Sequence, residues 1–495
     1  MTNNYGKIAA INRARKKENK EVEKPTEIKN KAKKEPELNF EPMNNKKIKL
    51  PKHPINWTDN ETETHSNYIK DKLKNEHFQL VVMPPGTGKT AVAVETIGKM
   101  QEKTNSKINL IITSTSKVVS GLGWHNTIYS WNYDHPNNTI KPILIDTVDR
   151  LANALKHPKS LKKIFNKLKE NDIENTVIIL DEAHKYKNPT GNRAKQLQKL
   201  STFKKIGLTA TPLTNNLIMD MVSYLIMGNK YTNKTDFMKR SRLEHYVGRW
   251  GKLNIFDENG RVSRLMWPYY DIMLKEYGEI LYRPNINIKN YDMPDVTDKI
   301  INLPQNIELD DDMRSLVKAY QYRMFDSYTD YFMEAMERIY GDQQRLDTLL
   351  EIILNKENKQ PLIFYKNTIV KEKIEKELQL KDINYQIIDG ESNFGNLDHD
   401  DLNPILIQIQ SGAEGIELKN SNCSIFYQNQ HSYDLYDQAK GRNRRRGMKH
   451  DINHYIIVAD NEFDRRIYNV IKEREELSEE MLQEAFEKAM EIYNE

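Results

Sequence analysis

Hydrophobic residues in this chain gather in short β-branched runs separated by longer polar stretches. Val81-Val82, Ile108 to Thr113, Pro142 to Asp146, Thr176 to Leu180 and Ile206 to Thr209 form a first series. Apolar runs without alternation predict strands buried on both faces, and the Lys-rich segments between them, Leu161 to Lys169 among them, predict covering helices. A parallel α/β sheet follows from that order. From Asn229 to Lys359 the pattern changes to helices with mixed faces: Met238 to Tyr246, a loop from Gly251 to Ser263, an extended stretch from Leu281 to Pro304, and amphipathic helices over 311–340 and 343–354. The aromatics Tyr320, Tyr322, Phe325, Tyr328, Tyr331 and Phe332 recur near helical spacing there and predict core packing rather than a stacking surface.

A second series begins at Pro361 to Tyr365 and continues through a helix at Ile369 to Leu378 and strands at Tyr385 to Gly390, Pro404 to Ile409, Cys423 to Tyr427 and His454 to Val458. The chain therefore divides into a tail (1–54), an α/β domain (55–228), a mainly helical inter-lobe segment (229–359), a second α/β domain (360–475) and a C-terminal helix (476–495).

Composition narrows the picture. The 495 residues are 38% hydrophobic and 29% charged, enough for several packed cores. No run of about 18 apolar residues and no apolar leader are present, which argues against a membrane role. The single cysteine, Cys423, excludes an internal disulfide and a cysteine metal cluster, so an intracellular, cytoplasmic location is expected, the host cytoplasm if the protein is viral. Residues 1–52 carry 15 Lys/Arg against 7 Glu, while the whole chain has a net charge of only +4. A basic tail so poor in aromatics is expected to be disordered; it reads equally as a solubilising arm or as one that tracks nucleic-acid phosphates.

The candidate chemistry sits where predicted strands end. Val81 to Thr90 reads as a strand, the Gly-rich turn Pro84-Pro85-Gly86-Thr87-Gly88, and a helix opening with Lys89-Thr90. Backbone N–H groups at such a helix N-terminus cradle phosphates, with Pro85, Gly86, Thr87 and Gly88 forming the loop, Lys89 reaching the β- and γ-phosphates, and Thr90 holding Mg²⁺. The run Thr176 to Leu180 delivers two adjacent acids: Asp181 suits a Mg²⁺ contact through water, and Glu182 suits orientation of an attacking water. Four arginines between Arg442 and Arg446, carried by a separate α/β unit, suit a reach across a cleft to a γ-phosphate.

Taken in order, these segments resemble the Swi/Snf (sucrose-non-fermenting) type of helicase superfamily two, over about residues 60–475. Met83 to Thr90 is similar to motif I, Trp124 and Trp131 to the Trp pair after motif Ia, and Asp181-Glu182-Ala183-His184 to the DEAH box. Leu208 to Leu217 is similar to motif III, with Ala210 where the family usually has Gly. Leu362-Ile363-Phe364 and Asp389-Gly390 resemble motif IV and its sequel. Gly412 to Leu418 resembles motif V, with Glu417 in place of the usual Asn; Gln438, Gly441, Arg442 and Arg445 resemble motif VI, and Asp464 to Tyr468 a closing brace helix.

The resemblance implies two RecA-like lobes with ATP and Mg²⁺ between them and DNA across the top. It makes Arg442 and Arg445 γ-phosphate ligands, Gln438 a coupling residue, and Gly415 and Glu417 nucleotide contacts. The implied activity is that of an ATP-dependent translocase on duplex DNA, in replication, recombination or remodelling of protein–DNA complexes. A strand-separating DNA or RNA helicase and an ATP-gated nucleic-acid-binding module are the alternatives. No Gln stands where the adenine-recognition motif belongs, the chain there being Glu61 to His65, so base selectivity is open. The short inter-lobe segment and the lack of recognisable accessory modules point to a compact bacterial or viral-type member.

Overall fold

The computed structural model describes residues 60–475 apart from 116–117, 120–121, 158, 160–165, 167–173, 189–190, 214–216, 241–266, 285–292, 323, 325–327, 390–400, 413–417, 419, 430–431, 445–447, 449, 461–463, 466 and 474. The expected tail, all but one residue of the helix expected at 161–169, the 251–263 loop and the helix beyond 476 lie outside the described residues.

Two parallel sheets organise the chain, as the run pattern predicts. The first contains β1 (Phe78–Val82), β2 (Asn109–Ser114), β3 (Pro142–Thr147), β4 (Thr176–Asp181), β5 (Lys204–Thr209) and β6 (Leu281–Tyr282), in the order β3-β2-β4-β5-β1-β6. The second contains β7 (Val296–Leu303), β8 (Leu362–Tyr365), β9 (Gln386–Ile388), β10 (Ile405–Gln408), β11 (Cys423–Phe426) and β12 (Ile452–Ala459), in the order β7-β12-β11-β8-β10-β9.

Central strands are apolar throughout because helices cover both faces of each sheet. Along β1 the side chains alternate between two cores: Phe78, Leu80 and Val82 pack on one face with Tyr224 and Tyr277, while Val81 and Met83 pack on the other with Val94, Trp124 and Ile128. The helices used below are α1 (Asn60–Lys72), α2 (Lys89–Thr104), α3 (Gly123–Asp134), α4 (Leu217–Met227), α5 (Tyr328–Tyr340), α6 (Gln343–Leu354), α7 (Thr368–Leu380) and α8 (Tyr433–Lys440).

The stretch expected to stand between the lobes is divided between the sheets. Leu281 and Tyr282 pair with Leu80 and Val81 as an edge strand of the first sheet. Val296 to Leu303 pairs along its whole length with β12 as an edge of the second. Neither joins by hydrophobic pattern: β6 has two residues, and β7 is largely exposed. Tyr322, expected in the core, is 78% exposed, since the helix ends at Gln321 instead of continuing to Tyr340. Among the described residues no helix is long and apolar enough to cross a membrane.

Candidate nucleotide site between the two sheets

The carboxyl ends of parallel strands are where open α/β sheets place ligands, and three elements converge at that edge of the first sheet. The first is the turn after β1. Gly86 and Gly88 both have positive φ, +79° and +92°, which an L side chain resists. Open space surrounds the position a Cβ would take at Gly88. Helix α2 then begins without a side-chain cap and without an acid in its first turn, so its leading N–H groups remain for an anion. Thr87 braces the turn by donating its hydroxyl to Pro84 O at 2.7 Å, and Lys89 Nζ is held at its mouth by Met83 O (2.9 Å) and Pro84 O (3.2 Å). Thr90 follows in the first turn of α2, part-exposed.

The second element is the end of β4. Asp181 Oδ2 accepts from Ser114 Oγ at 2.6 Å and from Trp124 Nε1 at 3.0 Å, and Oδ1 accepts from the Glu182 N–H at 3.1 Å. Burial, then the neighbouring Glu182 charge, push the Asp181 pKa up. Glu182 itself sits at φ +54°, a left-handed conformation costing about 1–3 kcal/mol for a non-glycine residue. Its side chain is 27% exposed and meets His184 Nδ1 at 3.3 Å. Burial opposes its ionisation, but His184, Lys89 and Arg442 outweigh that and hold its pKa down to about 2. A carboxylate this acidic is ionised at neutral pH and a weak base, suited to accepting a hydrogen bond from water.

The third element arrives from the second sheet. Helix α8 ends in Gln438, Ala439 and Lys440, followed by Gly441, and Gln438 Nε2 lies 3.4 Å from His184 Nε2. His184 Nδ1 also lies 3.2 Å from Thr209 Oγ1 at the end of β5, and that hydroxyl accepts the Thr211 N–H at 3.2 Å. One buried imidazole thus touches Glu182, the end of β5 and the opposite lobe. A Cβ built on Gly441 would lie 2.7 Å from Pro85 Cβ, so this glycine is where the second lobe meets the phosphate-loop turn. Arg442 follows, 7% exposed, with its charge felt at Glu182.

Of the residues singled out in the sequence, the structure brings Pro85, Lys89, Asp181, Glu182, Gln438 and Arg442 to one cleft. Gly415, Glu417 and Arg445 lie outside the described residues. The roles of Ser114, Trp124 and His184 are not legible in the sequence: nothing about a serine or a tryptophan at these positions signals a bond to a carboxylate 57 to 67 residues away. The donor set fits the groups it implies. A carboxylate and a hydroxyl are hard oxygen ligands that suit Mg²⁺, and the open turn above an uncapped helix suits a polyphosphate.

Comparison with known proteins assigns a family model to each sheet. Residues 47–214 match the family model of the type III restriction enzyme res subunit, and residues 344–447 match that of the helicase conserved C-terminal domain. Together the two models span more than half of the chain, one on each sheet. The chain belongs to helicase superfamily two, a class of nucleic-acid-dependent ATPases. Two curated relatives are similar to parts of the chain. It is 23% identical over 168 residues to the chromatin-remodeling ATPase INO80 of Lodderomyces elongisporus, which covers 32% of this chain and 11% of that one. It is 21% identical over 453 residues to the chromatin structure-remodeling complex protein SYD of Arabidopsis thaliana, covering 77% and 12%. The chain thus spans about a tenth of the length of these relatives. A solved structure, the Sulfolobus solfataricus SWI2/SNF2 ATPase core in complex with dsDNA, is similar at 14% identity over 89% of this chain and 95% of that one, with a TM-score of 0.37.

Proposed function

We propose that this protein is a DNA translocase that hydrolyses Mg²⁺·ATP between its lobes and steps along duplex DNA as the lobes close and reopen. The observation that carries the reading is the meeting of Gln438, Gly441 and Arg442 with His184, Pro85 and Glu182 across the cleft. In this reading Pro85 to Thr90 bind the phosphates, Thr90 and Asp181 hold Mg²⁺, and Glu182 orients the attacking water. Arg442, together with Arg445, stabilises charge on the γ-phosphoryl group as it transfers. Gly415 and Glu417 complete the nucleotide contacts from the second lobe. The Glu182–His184–Gln438 chain makes lobe closure sensitive to the state of the water-orienting carboxylate. The duplex preference rests on the SNF2-type order of motifs and on curated relatives named for chromatin remodelling.

Steady-state ATP turnover measured with blunt duplex DNA, single-stranded DNA and RNA tests the proposal. Duplex DNA is expected to stimulate most. Greater stimulation by single strands or RNA would move the assignment to a strand-separating helicase, and nucleotide-dependent DNA binding without turnover would make the protein a gated binding module. Glu182→Gln is expected to bind ATP normally while losing turnover on the order of a hundredfold or more. Full turnover in that variant would remove Glu182 from its role.

A further inference from the structure

The two oxygens of Asp181 are engaged unequally. Oδ2 accepts two donors, Ser114 Oγ at 2.6 Å and Trp124 Nε1 at 3.0 Å, whereas Oδ1 accepts only the Glu182 backbone N–H at 3.1 Å. A carboxylate has about four lone-pair sites, so Oδ2 is filled and Oδ1 keeps one open. Both donors are rigidly mounted. Ser114 closes β2, the immediate neighbour of β4, and is fully buried. Trp124 lies in the first turn of α3, is also fully buried, and packs in the core beneath the phosphate loop. An indole has a single N–H fixed in the ring plane, so its packing dictates where the hydrogen bond points.

We propose that Ser114 and Trp124 are positioning residues: by occupying Oδ2 they fix the plane of the Asp181 carboxylate and leave Oδ1 as the oxygen offered to a magnesium ion's water shell. The inference rests on the reading of Asp181 as the carboxylate that holds Mg²⁺. It also separates the two tryptophans of the sequence pattern. Trp131 donates its N–H instead to Asn138 O at 2.9 Å and stacks on His135.

The test is a Mg²⁺ titration of fluorescent-ADP binding in the full chain, comparing wild type with Trp124→Phe, Ser114→Ala, Ser114→Thr and Asp181→Asn, alongside thermal melting. Trp124→Phe and Ser114→Ala are each expected to weaken the apparent Mg²⁺ affinity about tenfold, while metal-free nucleotide binding changes by less than about twofold. Ser114→Thr, which keeps the hydroxyl, should stay near wild type. The Mg²⁺-dependent change in tryptophan emission should be lost in Trp124→Phe although four other tryptophans remain. Unchanged Mg²⁺ affinity in Trp124→Phe and Ser114→Ala, whatever their melting temperatures, would reduce both residues to core packing and overturn the inference. If Trp124→Phe fails to fold, Ser114→Ala decides by the same measure. Mg²⁺ binding indifferent to Asp181→Asn would instead remove the reading of Asp181 on which the inference stands.

Discussion

The turns after β1 and β8 each lead from a buried strand into a helix without a side-chain cap, and they differ in how the chain just before that helix is held. After β1, the amides leading into α2 meet no capping side chain. After β8, the N–H groups of Lys366 and Asn367 both donate to Gln428 Oε1, at 2.9 and 3.1 Å, before α7 begins. Gln428 is itself buried beside β11. The first turn is built from glycines at positive φ; the second is tied to a buried glutamine.

Charge follows the same division. Lys89, Asp181 and Glu182 of the first lobe interact electrostatically at the cleft. The second lobe instead buries an ion pair, Arg345 with Asp464, in its own interior. Arg345 also donates to Tyr427 O at 2.6 Å and Ile457 O at 3.2 Å, while Asp464 accepts from Tyr340 Oη at 2.9 Å, Asn429 Nδ2 at 3.0 Å and the Ala459 N–H at 2.8 Å. The same architecture thus gathers charge at the cleft in one lobe and buries it in the other, whose interior pair underlies the element carrying Gln438 and Arg442.

That contrast breaks most readily at the buried pair. Asp464→Ala leaves the Arg345 guanidinium buried without its counter-charge, at a cost of about 3–5 kcal/mol. Chemical denaturation followed by α/β signal should show a second-lobe transition at lower denaturant, with nucleotide still protecting the first lobe. A single unshifted transition would show the pair to be dispensable. Gly441→Ala tests the meeting point of the lobes, because its Cβ would collide with Pro85. Displacing Arg442 by a fraction of an ångström should reduce turnover about tenfold or more, with ATP binding to the first lobe retained. Unchanged turnover would mean that the contact is incidental to catalysis.

The smallest effect expected is a dependence of stability on pH that belongs to the second lobe. His454 joins β12 to β7 through Asp298 Oδ1 at 3.0 Å, and Lys440 Nζ reaches Asp298 Oδ2 at 2.6 Å. Burial lowers the His454 pKa, and its Nε2 is a buried atom without a hydrogen-bond partner, so protonation there is penalised in the folded state. Its stabilising effect is complete above the unfolded value of 6.5 and declines as pH falls below it. For Asp298, burial opposes ionisation, but His454 and Lys440 hold its pKa down to about 2; that contribution is complete above the unfolded value of 3.8 and is lost toward pH 2. Urea midpoints should therefore fall between pH 8 and 5 in wild type and stay flatter in His454→Gln. Equal slopes would assign the pH dependence elsewhere.

How much of this was legible beforehand depended on range. The strands β1, β4, β8 and β11 announce themselves because burial on both faces demands unbroken apolar runs. The glycines before Lys89 announce the phosphate loop because only they tolerate its backbone angles. Edge strands β6 and β7 carry no such demand, and their sheet membership appears only through pairing with β1 and β12. The acids at 181 and 182 are readable as chemistry, but their partners are not. Ser114 and Trp124 approach Asp181 from β2 and α3 only because the sheet order places β2 beside β4. His184 is central for the same reason, joining Thr209 and Gln438 from segments 25 and 254 residues away.

In the proposed function, one nucleotide is held by the first lobe and discharged with help from the second. Paired measurements of ATP-analogue affinity and single-turnover hydrolysis in Arg442→Ala test it most directly. The account predicts affinity within a few-fold of wild type and hydrolysis slowed by about a thousandfold, the scale typical of a guanidinium that stabilises a transferring phosphoryl group. Hydrolysis at the wild-type rate in Arg442→Ala would contradict it.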